Sequence, residues 1–256
     1  MSGCEHTPAR WGSKARRLRT SVFWAVLVVL CAIPLAHGQP KAPLVPLADI
    51  APSIFQDMRY AGGENFVGAP IDGYQTAQCW LTPAAAQALA RVQKAARAQH
   101  LSLKVFDCYR PQRAVDHFSR WARALEDTRM KRAYYPDVGK NTLFAQGYIA
   151  PRSGHSRGST LDLTLVRSQY RVPARAQDCR QPKAWGDELD MGTTYDCFDP
   201  LSNTANPAIQ GRAKANRALL VELMGAEGFH NYAKEWWHFT LANEPHPETY
   251  FDIPIQ

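Results

Sequence analysis

The chain has 256 residues, of which 45% are hydrophobic and 21% charged: enough apolar residues for a sizeable core, and too many for a disordered chain. Its formal charge is +7, but positions 1–38 carry five basic residues and one acidic residue, a contribution of +4, so the rest is near +3. With no Lys/Arg stripe interleaved with aromatics, that charge argues against nucleic acid as a partner.

Residues 1–38 read as a signal peptide and residues 39–256 as one mature domain. Arg10, Lys14, Arg16, Arg17 and Arg19 precede an apolar run from Ser21 to Leu35, and Ala36-His37-Gly38 offers small residues at a cleavage position. The run is short for a span and broken by Pro34, so cleavage is expected rather than anchoring, with no stable membrane insertion afterwards. The expected destination is outside the cytoplasm, in the periplasm. Cys4 and Cys31 leave with the leader, and Cys79, Cys108, Cys179 and Cys197 remain. An even number in an exported chain favours disulfides over thiolate metal ligation. Three connectivities are possible. The local Cys179–Cys197 loop is favoured, which leaves Cys79 with Cys108.

Residues 39–52 are Pro-rich and read as an extended lead-in, and residues 60–72 as a Gly-rich loop with short extended pieces. Thr82 as N-cap and Pro83 at the first helical position open a helix running to about Gln99, with Leu89, Val92 and Ala96 inward. Residues 101–107 alternate and read as a strand. Pro111 starts a second helix, to about Leu125, with Val115, Phe118 and Ala122 inward. Residues 134–156 are irregular. Residues 159–166 alternate again, Leu161, Leu163 and Leu165 on one face and Asp162 and Thr164 on the other, as in a half-buried strand. Residues 167–206 read as a long polar loop that a disulfide would brace. A third helix is expected from Arg212 to about Glu227, ended by Gly228, and a last strand over Trp236–Leu241. Strands and helices do not alternate regularly. The expected class is α+β, an antiparallel sheet core flanked by helices.

Two strings carry the chemistry: Ser153-Gly154-His155-Ser156-Arg157-Gly158-Ser159-Thr160-Leu161-Asp162, and Glu235-Trp236-Trp237-His238-Phe239. Two imidazoles and one carboxylate with an open fourth position make the ligand count of a catalytic zinc site, so His155, Asp162 and His238 are candidate ligands for one Zn²⁺ per chain. Glu235 is the natural general base beside it. On a flat strand Glu235 and His238, three apart, would face opposite ways, so Glu235 must lie where the strand begins, or the strand must bulge. Trp236 and Trp237 are expected to wall the site. His100, His117, His230 and His246 read as ordinary surface or core residues, and Asp107 with Arg110 as a structural ion pair.

The string Ser-x-His-Ser-Arg-Gly-Ser-x-x-Asp-Leu-Thr-Leu, then Glu-Trp-Trp-His-Phe, preceded by Asp-x-Tyr-Arg-Pro, resembles the D-alanyl-D-alanine dipeptidase family of zinc peptidases, which includes the dipeptidase of vancomycin-resistance clusters. The resemblance extends from about Tyr60 to Tyr250-Phe251-Asp252-Ile253-Pro254. It implies a hedgehog/D,D-peptidase-like fold and a small dipeptide as substrate. It also implies that His155, Asp162 and His238 bind zinc, that Glu235 activates water, and that Arg110 holds the developing oxyanion. Asp196 matches the carboxylate that pairs with the substrate ammonium, and Ser153 and Tyr60 match substrate-contacting positions more loosely. The chain departs from the family's usual Asp-Gly-Tyr-Arg-Pro by Cys108, and Cys197 directly follows Asp196. An exported enzyme of this type is expected to salvage wall fragments rather than to confer resistance. Two other readings are a D,D-carboxypeptidase or endopeptidase acting on peptidoglycan stem peptides, and a non-catalytic wall-binding module.

Overall fold

The computed structural model describes residues 44–167, 178–180 and 186–256. The expected leader, residues 1–38, lies outside them. In chain order the elements are β1 (Val45–Pro46), α1 (Leu47–Ile50), β2 (Phe55–Gln56), β3 (Trp80–Leu81), α2 (Pro83–Ala98), β4 (Leu101–Asp107) and α3 (Gln112–Arg123). The short helices α4 (Lys131–Tyr134) and α5 (Leu143–Gln146) follow, then β5 (Thr160–Arg167), α6 (Gly211–Ala226), β6 (Phe229–Asn231) and β7 (His238–Leu241). No helix among the described residues is long and apolar enough to cross a membrane.

Five strands form one sheet in the order β2-β4-β5-β7-β6, and β1 pairs with β3 in a separate ribbon. The class is α+β, as expected. Three of the sheet's pairings are antiparallel, and the edge pair β2–β4 is parallel. Helices α2 and α6 pack on each other and against β4 and β5. Helix α2 starts as its sequence directs: the Thr82 side chain accepts from the Ala85 amide, Pro83 takes the first helical position, and Leu89, Val92 and Ala96 are buried.

Several elements differ from expectation: β2, β3, β6, α4 and α5 lie where the sequence predicts no strand or helix, and the last strand begins at His238 rather than Trp236. The Pro-rich lead-in contains the turn of helix α1, whose Leu47 is fully buried and whose amide donates to the Cys79 carbonyl. Strand β5 is not half-buried: Thr160 through Val166 are all buried, because β5 sits centrally and both its faces are covered. Alternation still sorts its residues by face. Polar residues on covered faces then need partners. On β4, Lys104 is wholly buried and donates to Asp57 at 3.1 Å and to Glu188. Cys79 is joined to Cys108 and Cys179 to Cys197.

The C-terminal segment is a strap. Phe251 exchanges backbone bonds with Ser156 and Gln112, the Asp252 carboxylate pairs with Arg113, and Ile255 bridges to Tyr74. It thereby ties the start of α3 to the loop that carries His155.

Candidate active site

Sheet register builds half of the site. Asp162 on β5 lies directly across from His238 on β7, and across from Asp107 on β4 on its other side. Directly opposed residues share a face, so three polar side chains gather at the end of the sheet. The β4–β5 register shifts between Val105 and Asp107, an irregularity of the kind that re-aims a side chain.

His155 comes from the 3-10 turn Gly154–Arg157. The turn opens with the Ser153 hydroxyl accepting from the His155 amide, and it closes at Gly158 with φ +81°. The left-handed backbone favours glycine here, and any side chain would also have to displace the Leu44 methyl 2.6 Å away. The Gly158 carbonyl then accepts from the Thr82 amide, fixing the turn to the start of α2. The imidazole is oriented by its Nδ1, 2.7 Å from the Cys108 carbonyl, which leaves Nε2 facing the other two side chains.

The result is a triangle of donor atoms. His155 Nε2 lies 3.3 Å from Asp162 Oδ1, His238 Nδ1 lies 3.1 Å from the same oxygen, and the two nitrogens are 3.3 Å apart. Asp162 Oδ1 is buried and accepts no well-directed hydrogen bond. A buried carboxylate oxygen left in this way beside two imidazole nitrogens fits a cation. Among the described residues this is the one group of three or more His, Cys, Asp or Glu side chains that could hold a metal.

Glu235 sits where β7 begins, not on it. Its amide donates to the Tyr232 carbonyl and its carbonyl accepts from the His238 amide, so a tight turn, rather than a bulge, brings the two side chains to one side. Its Oε2 is 3.4 Å from His238 Nδ1. Burial pushes its carboxyl up to about 7 against the pull of His238, the range in which a group can both take and return a proton near neutrality. Arg110 does form the ion pair with Asp107, its Nε and Nη2 lying 2.9 and 2.8 Å from Oδ2. Asp107 also accepts from the Tyr74 hydroxyl at 2.6 Å. The pair aims the guanidinium into the site, 3.7 Å from Asp162 Oδ2 and over the rings of Tyr60 and Phe118.

Asp196 occupies the other end. Its backbone is left-handed, with φ +58°, a conformation that Asp tolerates better than most residues. Its carboxylate is buried and accepts from the Tyr60 hydroxyl at 2.8 Å. Burial, reinforced by the charge of Asp162, holds its carboxyl well above the ordinary range. A cation brought alongside would favour its charged form.

All the candidate residues, with Ser153 and Tyr60, line a single cavity of about 230 Å³. That is below the usual span of about 300–1,000 Å³ for drug-sized ligands, so the occupant is small. Ser153 has a second task as the cap of the His155 turn, and its Oγ is 3.4 Å from Arg110 Nη1. Trp237 lines the cavity. Trp236, expected beside it, is instead in the core with its Nε1 donating to Thr193. Adjacent residues in this turn point apart. Sequence reasoning missed the work of Asp107 in aiming Arg110, the Cys108 carbonyl on His155, and Tyr195 beside Asp162. For Asp107 the signals were its place three residues before Arg110 and at the head of the Asp-x-Tyr-Arg-Pro string.

Comparison with known proteins places a chain with this site among the peptidases. The chain belongs to the peptidase M15 family described as D-ala-D-ala dipeptidase, whose sequence model matches residues 40–256. It is 42% identical over 207 residues to a D-alanyl-D-alanine dipeptidase of Streptomyces coelicolor, covering 81% of this chain and 95% of the relative. It is 36% identical over 210 residues to one from Enterococcus faecium, with 82% and 96% covered. A third, from Enterococcus faecalis, is 39% identical over 199 residues, with 78% and 91% covered.

Proposed function

We propose that the chain hydrolyses the dipeptide D-Ala-D-Ala to two D-Ala, using one zinc ion held by His155, Asp162 and His238. The observation that carries this reading is that the donor triangle, Glu235, Arg110 and Asp196 open onto one small cavity. The triangle suits zinc: with bonds of about 2.0–2.1 Å, a tetrahedral site has edges of about 3.3–3.4 Å, against 3.1, 3.3 and 3.3 Å here. When bound, zinc would supply Lewis acidity, polarising the scissile carbonyl and acidifying a water.

The chain's own residues supply the rest. Glu235 takes the proton of the attacking water and returns it to the leaving amine as the C–N bond breaks. Arg110, permanently charged and locked to Asp107, meets the carbonyl oxygen as it becomes an oxyanion. Asp196 pairs with the free ammonium of the substrate. An N-acylated substrate would offer it an uncharged amide, leaving the carboxylate buried without a cation. That disfavours the carboxypeptidase reading. We also propose that residues 1–38 are an export signal and that the enzyme works in the periplasm on fragments of wall turnover. The two disulfides support export.

The test is product analysis by mass spectrometry with D-Ala-D-Ala, L-Ala-L-Ala and a longer wall peptide, alongside metal analysis of wild type and Glu235→Ala. Turnover of D-Ala-D-Ala alone is expected, with a kcat at least ~10²–10⁴-fold lower in Glu235→Ala and its zinc retained. Cleavage of the longer peptide, or unchanged turnover in the variant, would overturn the assignment.

A further inference from the structure

The two oxygens of Asp162 face different surroundings. Oδ1 faces the imidazoles. Oδ2 faces the Tyr195 hydroxyl at 3.2 Å, while the Arg110 guanidinium, held by Asp107, stays at 3.7 Å. Tyr195 is therefore the nearest donor to the second oxygen. Its position is set by packing rather than by chance: the ring is buried, lies flat on Phe106 with centroids 4.4 Å apart and planes 6° apart, and meets the edge of Trp237 at 5.5 Å. The same hydroxyl is 3.1 Å from the Tyr60 hydroxyl, which donates to Asp196 at 2.8 Å.

Proton counting gives these contacts a direction. Tyr60 has one proton, and its short bond to Asp196 uses it. Tyr195 has one proton and two oxygens in reach, a carboxylate and a phenol. Hydrogen bonds to a charged acceptor are roughly twice as strong as neutral ones, so the proton of Tyr195 is directed to Asp162. We propose that Tyr195 is a positioning residue: its hydroxyl fixes the rotation of the Asp162 carboxylate so that Oδ1 points into the donor triangle. The proposal rests on the reading of Asp162 as a metal ligand.

The test is Tyr195→Phe, which keeps the ring and its stacking and removes only the hydroxyl. Metal-free protein is titrated with zinc against a chromophoric chelator, and KM for D-Ala-D-Ala is then measured at saturating zinc. Expected are about tenfold weaker zinc binding, the low end for loss of a partner that orients a ligand, with KM at saturating zinc and the melting temperature of the metal-free protein little changed. Tyr60→Phe should raise KM and leave zinc affinity as in wild type. If Tyr195→Phe binds zinc as tightly as wild type while Asp162→Asn loses it, the positioning role is overturned and the ligand assignment stands. If Asp162→Asn binds zinc like wild type, or wild type binds none, both fall. If Tyr60→Phe weakens zinc as much as Tyr195→Phe, the effect does not pass through the Tyr195–Asp162 contact and the proposal is overturned.

Discussion

The two ends of the cavity are built by different means. At the His155/Asp162/His238 end, two of the three donors hang from neighbouring central strands whose register puts them side by side, and the third comes from a short turn tied to the start of a long helix. At the other end the Asp196 carboxylate lies in a loop rather than on a strand. That loop is held instead by cross-links. Cys197 is joined to Cys179, the Phe198 amide donates to the Tyr134 carbonyl, and buried Arg217 donates to the carbonyls of Met191, Leu201 and Asn203. On the proposed reading, the difference follows from what each end must do. Metal donors tolerate errors of only about 0.2 Å, and backbone pairing supplies that accuracy. A charge anchor works over a longer range and can be carried by a braced loop.

This contrast can be broken or sharpened by substitution. The largest effect after the loss of Glu235 is expected from Arg110→Met, with kcat reduced about 10²–10³-fold as the oxyanion loses its partner. Steady-state kinetics at saturating zinc would show it, and a variant with near-normal kcat would leave Arg110 with only its structural pairing to Asp107. Asp196→Asn keeps a residue that tolerates the left-handed backbone. It should raise KM for the free dipeptide about 10–100-fold while barely changing the slow turnover of an N-acetylated dipeptide. Equal losses on both substrates would mean that Asp196 does not read the ammonium. The Cys179→Ala/Cys197→Ala variant tests the brace. By the chain-entropy estimate for a loop of this length it should lose on the order of 3 kcal/mol of stability, seen as a lower melting temperature. It should also raise KM more than it lowers zinc affinity. Undiminished activity and melting temperature would show that the other cross-links suffice.

Much of the metal end was legible along the chain. Alternation from Ser159 to Val166 put Asp162 on a polar face, and the helix beginning at Thr82-Pro83 was read from its cap. The small residues around His155 marked a tight turn. The Glu235–His238 spacing could be narrowed to two geometries but not decided between them, because a strand start and a bulge satisfy it equally. The half-buried reading of β5 failed because alternation reports which residues share a face, not what covers that face. Trp236 was misplaced for a similar reason: in a turn, the direction of each side chain depends on backbone angles that composition does not encode.

Residue types and local order were enough to specify the longer helices and strands and the family, and to nominate His155, Asp162 and His238 as donors. Those features depend on interactions between near neighbours in the chain, or on strings long enough to be distinctive. The tertiary structure alone decided that Asp107 aims Arg110, that the Cys108 carbonyl orients His155, and that Tyr195 lies between Asp162 and Tyr60. Most of these contacts join residues tens of positions apart, and even Arg110 needs Tyr74 and the β4 register to hold Asp107 in place. Such geometry is fixed only once β4, β5 and β7 have paired and the 191–198 segment has closed over them.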